Sequence, residues 1–278
     1  MTLREAIQEA SAHITARDAE TLLAHLLLCD RAWLLAHIDD PAPQEALDQL
    51  RSLTLRRAAR EPLQYLIGTQ EFYGLSLRVT PDTLIPRPET ELLVEAVLDW
   101  TASQTTPLSG SLRILDIGTG TGAIPIAIAS QLPTAKLTAV DLSTEALSIA
   151  RENAAAHHLA ARIRFLESDL LAALDGESFD IIVSNPPYVP LGDAGSMQPE
   201  VVDHEPHLAL FAGDDGLGIY RRLIPQAHAA LKPGGLLALE FGFGQREALS
   251  ELLRDWQHVR FLNDYADIPR MALAERSP

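Results

Sequence analysis

The sequence has little cysteine and no long apolar run. It has a single cysteine, Cys29, so no disulfide can form within the chain, and a reducing compartment is expected. No uninterrupted apolar run is long enough to cross a bilayer, and the first ten residues lack the apolar core of a signal peptide. We therefore expect a cytoplasmic protein without a membrane partner.

Basic residues are outnumbered by acidic ones. The chain carries 22 Lys and Arg against 38 Asp and Glu, which gives a formal net charge of -16 at pH 7. Such a chain repels phosphate backbones on average, so no direct nucleic-acid partner is expected. The one basic stretch, residues 51–60, is typical of the solvated face of a helix. We also expect the protein to be a monomer.

The composition changes twice along the chain, which predicts three regions. Residues 1–66 repeat apolar positions at helical spacing in three segments, 3–14, 16–30 and 44–60, and predict a small N-terminal helical bundle. Residues 67–88 gather aromatic and β-branched residues around two glycines and then prolines, which predicts a β-hairpin linker. Residues 89–278 form the third region. Since 47% of the residues are hydrophobic, a large core is expected.

The third region alternates strand-like and helix-like segments. Strands are predicted at 113–118, 136–142, 162–169, 179–185 and 236–242, the last one after the turn "PGG" at 233–235. Helical segments separate them, as in βαβ units. The prediction is an α/β fold: a mostly parallel, doubly wound, Rossmann-like sheet with helices on both faces.

A glycine-rich loop follows the first predicted strand of this sheet. Gly118, Gly120 and Gly122 allow a tight turn and a close approach of the backbone to a ligand, and Asp141 ends the next strand, where it can accept two ribose hydroxyls. This pattern also fits a dinucleotide. Asp116, just before the loop, suits a cationic amino group better than a pyrophosphate, which favours S-adenosylmethionine as the cofactor. A phosphate-binding P-loop is excluded because no Lys-Ser or Lys-Thr follows the last glycine.

A third acid, Asp169, comes at the end of the next predicted strand. Its carboxylate can accept a hydrogen bond from the exocyclic amine of adenine. It can equally be a surface acid that caps the following helix.

The stretch "SNPPYVP", residues 184–190, ends another strand in a rigid turn. The Asn185 side chain and the Pro186 carbonyl can each accept a hydrogen bond from a planar N–H₂ group, and Tyr188 offers a flat face for it. Such a grip holds a weakly nucleophilic amide or heterocyclic nitrogen in line with a methyl donor, and no strong base is required. The chemistry alone leaves glutamine and adenine open.

The motifs in combination resemble one family. "NPPY" matches the signature of methyltransferases that act on planar nitrogens. "PLQYLIGTQEFYGL" at 62–75, "LIPRPETE" at 84–91, "DIGTGTGAI" at 116–124 and "EPHLALFAGDDGLGIYRRL" at 205–223 are similar to the HemK/PrmC-type release factor glutamine methyltransferases. The resemblance runs from the N-terminal helices through residue 245.

The resemblance implies an enzyme that methylates the side-chain amide nitrogen of the glutamine in the Gly-Gly-Gln motif of class I peptide chain release factors, with S-adenosylmethionine as donor and S-adenosylhomocysteine as product. Residues 1–66 would bind the release factor. The implied catalytic residues are Asn185, Pro186 and Tyr188, and the implied substrate-binding residues are Asn185, Pro186, Pro187 and Tyr188. The implied cofactor-binding residues are Gly118, Thr119, Gly120, Thr121, Gly122, Asp141, Asp169, Leu170 and Asn185.

Two positions depart from the family pattern: Leu170 and His204 stand where an aromatic residue is often found. His204 and His207 do not predict a metal site, because Pro206 between them spoils a helical face, and no metal is expected. The alternatives are a glutamine methyltransferase for a ribosomal protein, a DNA adenine methyltransferase, a dinucleotide-dependent oxidoreductase, and a non-catalytic module that binds the translation machinery.

Overall fold

The structure is a computed structural model that describes residues 1–104 and 111–277. The chain divides into two compact units, one of Met1–Thr69 with Gln198–His204 and the other of Gln70–Met197 with Glu205–Pro278. The helices are α1 Leu3–Ala10, α2 Ala16–Leu26, α3 Arg31–Ala36, α4 Gln44–Ala58, α5 Leu63–Ile67, α6 Pro88–Ser103, α7 Ala123–Gln131, α8 Thr144–Ala156, α9 Pro199–His204, α10 Gly218–Ala230 and α11 Arg246–Leu252. The strands are β1 Thr69–Phe72, β2 Leu75–Arg78, β3 Arg113–Ile117, β4 Lys136–Asp141, β5 Ile163–Glu167, β6 Phe179–Ser184, β7 Leu231–Glu240, β8 Gln257–Asn263 and β9 Pro269–Glu275.

The first unit is a helical bundle, as predicted, but the prediction of three helices is wrong. The segment Met1–Thr69 contains five, α1 to α5. The predicted helix over 16–30 ends at Leu26 because Leu28 adopts a left-handed conformation, with φ of 54°. Asp30 then begins α3, accepting a hydrogen bond from the Trp33 backbone N–H at 2.7 Å. Leucine side chains from α2 and α3 fill the centre of this bundle.

Helix α9 belongs to the first unit although it is distant in sequence. Arg57, near the end of α4, donates to Asp18 on α2 and to Glu200 on α9, each at 2.8 Å. Its side chain is only 19% exposed, so these bonds are better shielded from solvent than an ordinary surface ion pair. The arginine therefore links three helices of the unit.

The second unit begins with the predicted β-hairpin, β1 and β2. Tyr73 and Gly74 form its two-residue turn, with φ of 53° and 74°. Positive φ at both central residues is the geometry that matches the twist of the flanking strands.

The main sheet of the second unit has the strand order β5-β4-β3-β6-β7-β9-β8. The first five strands in this order, β5, β4, β3, β6 and β7, are parallel, and β9 and β8 add an antiparallel edge. The mostly parallel, doubly wound sheet is confirmed. Neighbouring residues of β3 point to opposite faces: Ile114 packs in the cluster that contains residues of α6 and α7, while Leu115 packs in the cluster that contains residues of α10.

Two details of the sheet differ from the sequence-based prediction. The "PGG" segment lies inside β7 rather than in a turn before it, and the pairing with β6 shifts register between Phe179 and Ile181, so the glycines are taken up by an irregular part of the strand. Strands β8 and β9 lie beyond the last predicted strand and were not predicted. They are antiparallel partners of each other, and every residue of β8 is half-buried or exposed.

Candidate active site

The glycine loop lies at the carboxyl end of the central strand β3. The backbone N–H groups of Gly118 and Thr119 donate to the Val140 carbonyl at 2.9 and 3.0 Å, which holds the loop against β4. Gly122 immediately precedes α7 and has a φ of 80°, and a Cβ there would lie 3.0 Å from Ile126 Cδ1. Only glycine fits that position without strain, because the conformation and the contact both oppose a side chain.

One cavity of about 310 Å³ adjoins this loop, and all of its lining residues lie in the second unit. The residues predicted from the sequence that line it are Gly118, Gly120, Asp141, Asp169, Leu170, Asn185, Pro186 and Pro187. A Cβ built on Gly118 or Gly120 would meet no atom within 4 Å, so the backbone borders open space that a ligand can occupy. The structure does not place Thr119, Thr121, Gly122 or Tyr188 on the cavity wall.

Asp141 connects the glycine loop to the end of β4. Its Oδ2 accepts from the Gly120 backbone N–H at 2.8 Å, and its Oδ1 accepts from the Ser143 backbone N–H at 2.9 Å. Burial raises the pKa of this carboxyl above its usual value. A carboxylate can accept further hydrogen bonds beyond these two, so Asp141 keeps the capacity to bind ligand hydroxyls.

Asp116 is a buried carboxylate without a partner. It is 1% exposed, and neither of its oxygens has a hydrogen-bond partner within the described part of the chain. Burial raises the pKa of Asp116 to about 7, although the nearby Thr119 hydroxyl, which is also buried and makes no hydrogen bond of good geometry among the described residues, acts to lower it. An unpaired buried charge is costly, and buried polar groups almost always find a partner. Asp116 does not line the cavity, but it is two residues before Gly118, so its negative charge favours a cationic ligand group at this loop.

The third predicted acid, Asp169, lies on the cavity wall but is already paired. Its Oδ2 accepts from the Arg222 guanidinium at 2.6 Å, with both side chains about half exposed. Its neighbour Leu170 is half-buried and has a left-handed backbone, with φ of 52°. Ser168, not the Asp169 side chain, accepts from the backbone N–H of Ala173 in the next turn, at 3.0 Å. Asp169 therefore does not cap the following turn, and Arg222 holds its carboxylate.

The turn after β6 is held by hydrogen bonds at both of its ends. Ser184 is fully buried, and its hydroxyl donates to the Ile117 carbonyl at 2.6 Å. The carbonyl of Tyr188 accepts from Gln245 Nε2 at 2.9 Å, and Gly216 passes so close that a Cβ there would lie 2.3 Å from the same carbonyl. The position of the segment from Asn185 to Pro187 is thus fixed by its neighbours as well as by its prolines.

The sequence-based prediction missed two polar residues beside this turn, Thr90 and Glu240. Asn185 Nδ2 donates to Thr90 Oγ1 at 3.1 Å, and the Thr90 hydroxyl donates to Glu240 Oε2 at 2.7 Å. The Tyr188 hydroxyl lies 3.5 Å from Glu240 Oε1. A charged residue closing the apolar strand "LLALE" is a sequence signal that could have pointed to Glu240, whereas Thr90 has no such signal.

A second missed acid, Glu205, supports the segment that precedes α6. Its side chain is 1% exposed and accepts from the Ile85 backbone N–H at 3.1 Å and from Arg87 at 2.5 Å. This carboxylate fastens "LIPRP" to "EPHLAL", both of which contribute residues to the cavity wall.

Burial raises the pKa of the Tyr188 phenol in the turn after β6 well above its usual value, so the phenol stays protonated near neutrality.

Residues 1–104 and 111–277 contain no group of three or more His, Cys, Asp or Glu that could hold a metal ion. No helix within the same ranges is long and apolar enough to cross a membrane.

Known families match both parts of the chain. The model of the PrmC N-terminal domain matches residues 2–68, and the model of the methyltransferase small domain matches residues 90–202. A release factor glutamine methyltransferase of Koribacter versatilis is 42% identical over 99% of this chain and 99% of its own length. The chain belongs to the release factor glutamine methyltransferase family. The enzyme of that name from Moorella thermoacetica is 43% identical, with 99% of each chain covered. The family resemblance carried by the sequence motifs is therefore confirmed.

Solved structures confirm the fold of this family member. A methyltransferase from Pyrococcus furiosus superimposes with a TM-score of 0.54 at 20% identity, covering 80% of this chain and 99% of that chain. The N-terminal domain of human METTL16 in complex with SAH gives a TM-score of 0.54 at 20% identity, covering 84% and 82%. At such low identity these likenesses establish the methyltransferase type of Rossmann-like fold but say nothing about the substrate.

Proposed function

We propose that this protein methylates the side-chain amide nitrogen of the glutamine in the Gly-Gly-Gln motif of class I release factors, using S-adenosylmethionine. One observation carries the proposal: a single cavity is lined by the glycine loop, Asp141 and the Asn185–Pro187 turn. The names of its full-length relatives give the substrate class. A ribosomal protein as substrate is not favoured, since these relatives are named for release factors.

The residues present fit S-adenosylmethionine. The orphaned carboxylate of Asp116 suits the cationic amino group of the methionine part, and the loop from Gly118 through Thr119, Gly120 and Thr121 to Gly122 offers backbone groups around it. Asp141 would accept the ribose hydroxyls, while Asp169 and Leu170 would lie along the adenine. When bound, the cofactor supplies an electrophilic methyl group on a sulfonium.

The turn after β6 would bind the substrate amide. The Asn185 side-chain oxygen and the Pro186 carbonyl accept the two N–H bonds of the glutamine carboxamide, while Tyr188, which does not line the cavity, supports the turn from behind. This grip aligns the nitrogen lone pair with the methyl group, and positioning supplies much of the catalysis. The nitrogen would gain the methyl group as the carbon–sulfur bond of the sulfonium breaks, with S-adenosylhomocysteine as the leaving group, and would then lose one proton to water, so no strong base is needed.

In this proposal different segments of the chain bind the release factor and carry out the methyl transfer. The N-terminal helices, residues 1–66, bind the release factor. The predicted linker, residues 67–88, belongs to the second unit from residue 70 onward and gives residues 81–84 to the cavity wall, and residues 89–278 supply the other residues that carry the chemistry. The enzyme acts as a monomer in the cytoplasm and contacts no nucleic acid directly. A dinucleotide-dependent oxidoreductase is disfavoured because it gives the Asn185–Tyr188 turn no role.

The experiment is a methylation assay with a purified class I release factor. Peptide mass spectrometry is expected to find one added methyl group on the Gly-Gly-Gln glutamine when the full-length protein and S-adenosylmethionine are present. A release factor with that glutamine replaced by asparagine is the matched control. An unmodified release factor beside a methylated ribosomal protein or DNA would contradict the proposed substrate.

A further inference from the structure

We infer that Glu240, acting through Thr90, is a positioning residue that fixes which end of the Asn185 carboxamide faces the substrate. The inference rests on the proposed function and extends it to residues outside the substrate-binding turn. Three hydrogen-bonding groups form a continuous chain: Asn185 Nδ2 to Thr90 Oγ1 at 3.1 Å, and Thr90 Oγ1 to Glu240 Oε2 at 2.7 Å.

The polarity of this chain follows from the proton inventory of its members. An ionised carboxylate has no proton and can only accept, so the Thr90 hydroxyl must donate its single hydrogen bond to Glu240. Thr90 Oγ1 can then only accept from its other neighbour. Asn185 is therefore obliged to turn its N–H₂ group toward Thr90, which leaves the carboxamide oxygen on the opposite side. That oxygen is the atom that the proposed reaction needs for gripping a substrate N–H.

Without the carboxylate, the orientation is no longer determined. A Thr90 hydroxyl released from Glu240 can donate to the Asn185 oxygen, which would rotate the carboxamide by half a turn. The N–H₂ group would then face the substrate N–H₂ group, donor against donor. Glu240 thus selects between two orientations that are sterically equal.

The surroundings keep the chain rigid. Thr90 and Glu240 are 5% and 2% exposed, and Thr90 sits in the first turn of α6. The Glu240 carbonyl accepts from the Tyr220 hydroxyl at 2.7 Å, which fixes the end of β7. The hydroxyl of Tyr188 lies 3.5 Å from the other carboxylate oxygen. Glu240 is therefore linked to two side chains of the turn, Asn185 through Thr90 and Tyr188 directly.

A purely structural role would not favour a carboxylate at this position. The groups that act on Glu240 are the Thr90 and Tyr188 hydroxyls, the cation of Arg270 and the anion of Glu89; burial outweighs them and raises the pKa of Glu240 to about 7. Packing an apolar side chain at the end of β7 would avoid this cost. A buried acid retained at a cost, in contact with the site, is typical of a functional group.

The first test observes the carboxamide directly and needs no substrate. The chain has three asparagines, Asn153, Asn185 and Asn263, so selective ¹⁵N-asparagine labelling of the full-length protein gives three side-chain N–H₂ pairs. Asn153 is an internal reference, because its Nδ2 donates to Arg78 and Thr121 carbonyls at 3.0 and 2.9 Å. The signal of Asn185 is assigned by its loss in Asn185→Asp.

Thr90→Val keeps the shape of Thr90 and removes its hydroxyl. We expect the Asn185 N–H₂ protons to exchange with water at least about tenfold faster in this variant, with Asn153 unchanged, because the bond to Thr90 is lost. Thr90→Ser, which keeps the hydroxyl, is expected to restore the slow exchange. Thr138→Val, which removes a buried threonine hydroxyl from β4, is the matched control and should leave Asn185 unaffected. An unchanged Asn185 pair in Thr90→Val would overturn the inference.

The second test measures turnover on the release factor. Thr90→Val and Glu240→Leu are expected to lower kcat about tenfold to a hundredfold, the scale of a misplaced catalytic group, with little change in KM for S-adenosylmethionine. Thr90→Ser, which retains the hydroxyl, should keep most of the activity, whereas Glu240→Gln, whose amide can donate as well as accept, should lose part of it. Equal kcat in all four variants overturns the positioning role. If the wild type transfers no methyl while Asn185 still responds to Thr90→Val, the proposed function fails and the hydrogen-bond chain stands.

Discussion

Replacing Asp116 by asparagine is expected to stabilise the free protein and to weaken cofactor binding. The carboxylate is 1% exposed and has no hydrogen-bond partner within the described residues, so the folded protein holds an uncompensated charge whenever Asp116 is ionised. Asparagine has nearly the same shape and no charge. It removes the electrostatic cost but also removes the partner proposed for the cationic amino group of S-adenosylmethionine.

The magnitude follows from the pKa. Burial raises the pKa of Asp116 from 3.8 to about 7, and each pKa unit corresponds to about 1.4 kcal/mol. Because the folded state binds the proton more tightly than the unfolded state, stability is fully present below about pH 4 and is lost as the pH rises to about 7. The wild type should therefore lose about 2–3 kcal/mol relative to Asp116→Asn between pH 5 and pH 8.

Urea denaturation at the two pH values measures the free energy of unfolding, and titration calorimetry at pH 8 measures the cofactor affinity. The exposed Asp175→Asn, which removes a charge from the same unit, is the control. We expect S-adenosylmethionine to bind Asp116→Asn at least about tenfold more weakly, the loss of one charge-assisted hydrogen bond. Unchanged affinity would refute the role of Asp116 toward the cofactor. A stability difference that is the same at both pH values would refute the unpaired buried charge.

Three further predictions concern the loop and the turn. Asn185→Ala is expected to lower turnover by at least about a hundredfold while calorimetric cofactor affinity stays within about threefold, and an unfolded variant would instead make the turn chiefly structural. Gly122→Ala should lower the free energy of unfolding in urea by about 1–3 kcal/mol more than the control Gly176→Ala does. Gly176 has a similar φ, but a Cβ built there meets no atom within 4 Å. Equal losses in the two variants would show that the neighbours of Gly122 give way. Since burial raises the pKa of Glu240 to about 7, kcat should fall as the pH drops through 7, because the protonated carboxyl no longer dictates the direction of the Thr90 bond. Glu240→Gln should flatten this pH profile. A wild-type profile in which kcat does not fall at low pH contradicts the mechanism.

Local patterns predicted the part of the site that lies at the ends of parallel strands. Gly118, Asp141 and Asn185 each follow an apolar strand, and the carboxyl ends of β3, β4 and β6 lie side by side in the sheet. Their convergence on one cavity is thus a consequence of the βαβ topology, which the alternation of strands and helices already encodes.

Elements whose form depends on distant contacts were not predictable in the same way. Helix α3 has only six residues, and β8 exists as a strand through its pairing with β9. The glycines of "PGG" look like a turn locally but are carried within β7 by its pairing to β6. Local sequence specifies such segments weakly, because tertiary contacts override propensity there.

The sequence by itself determined the class of fold, the cofactor loop and the substrate-binding turn, because each is written in residues that are neighbours along the chain. Only the tertiary structure brought Thr90 and Glu240 together across 150 positions of sequence and placed them behind Asn185. It also left Asp116 buried and unpaired. A hydrogen bond between distant residues leaves no periodicity in the sequence, and the cost of an unpaired charge depends on what surrounds it, so both had to be read from the folded chain.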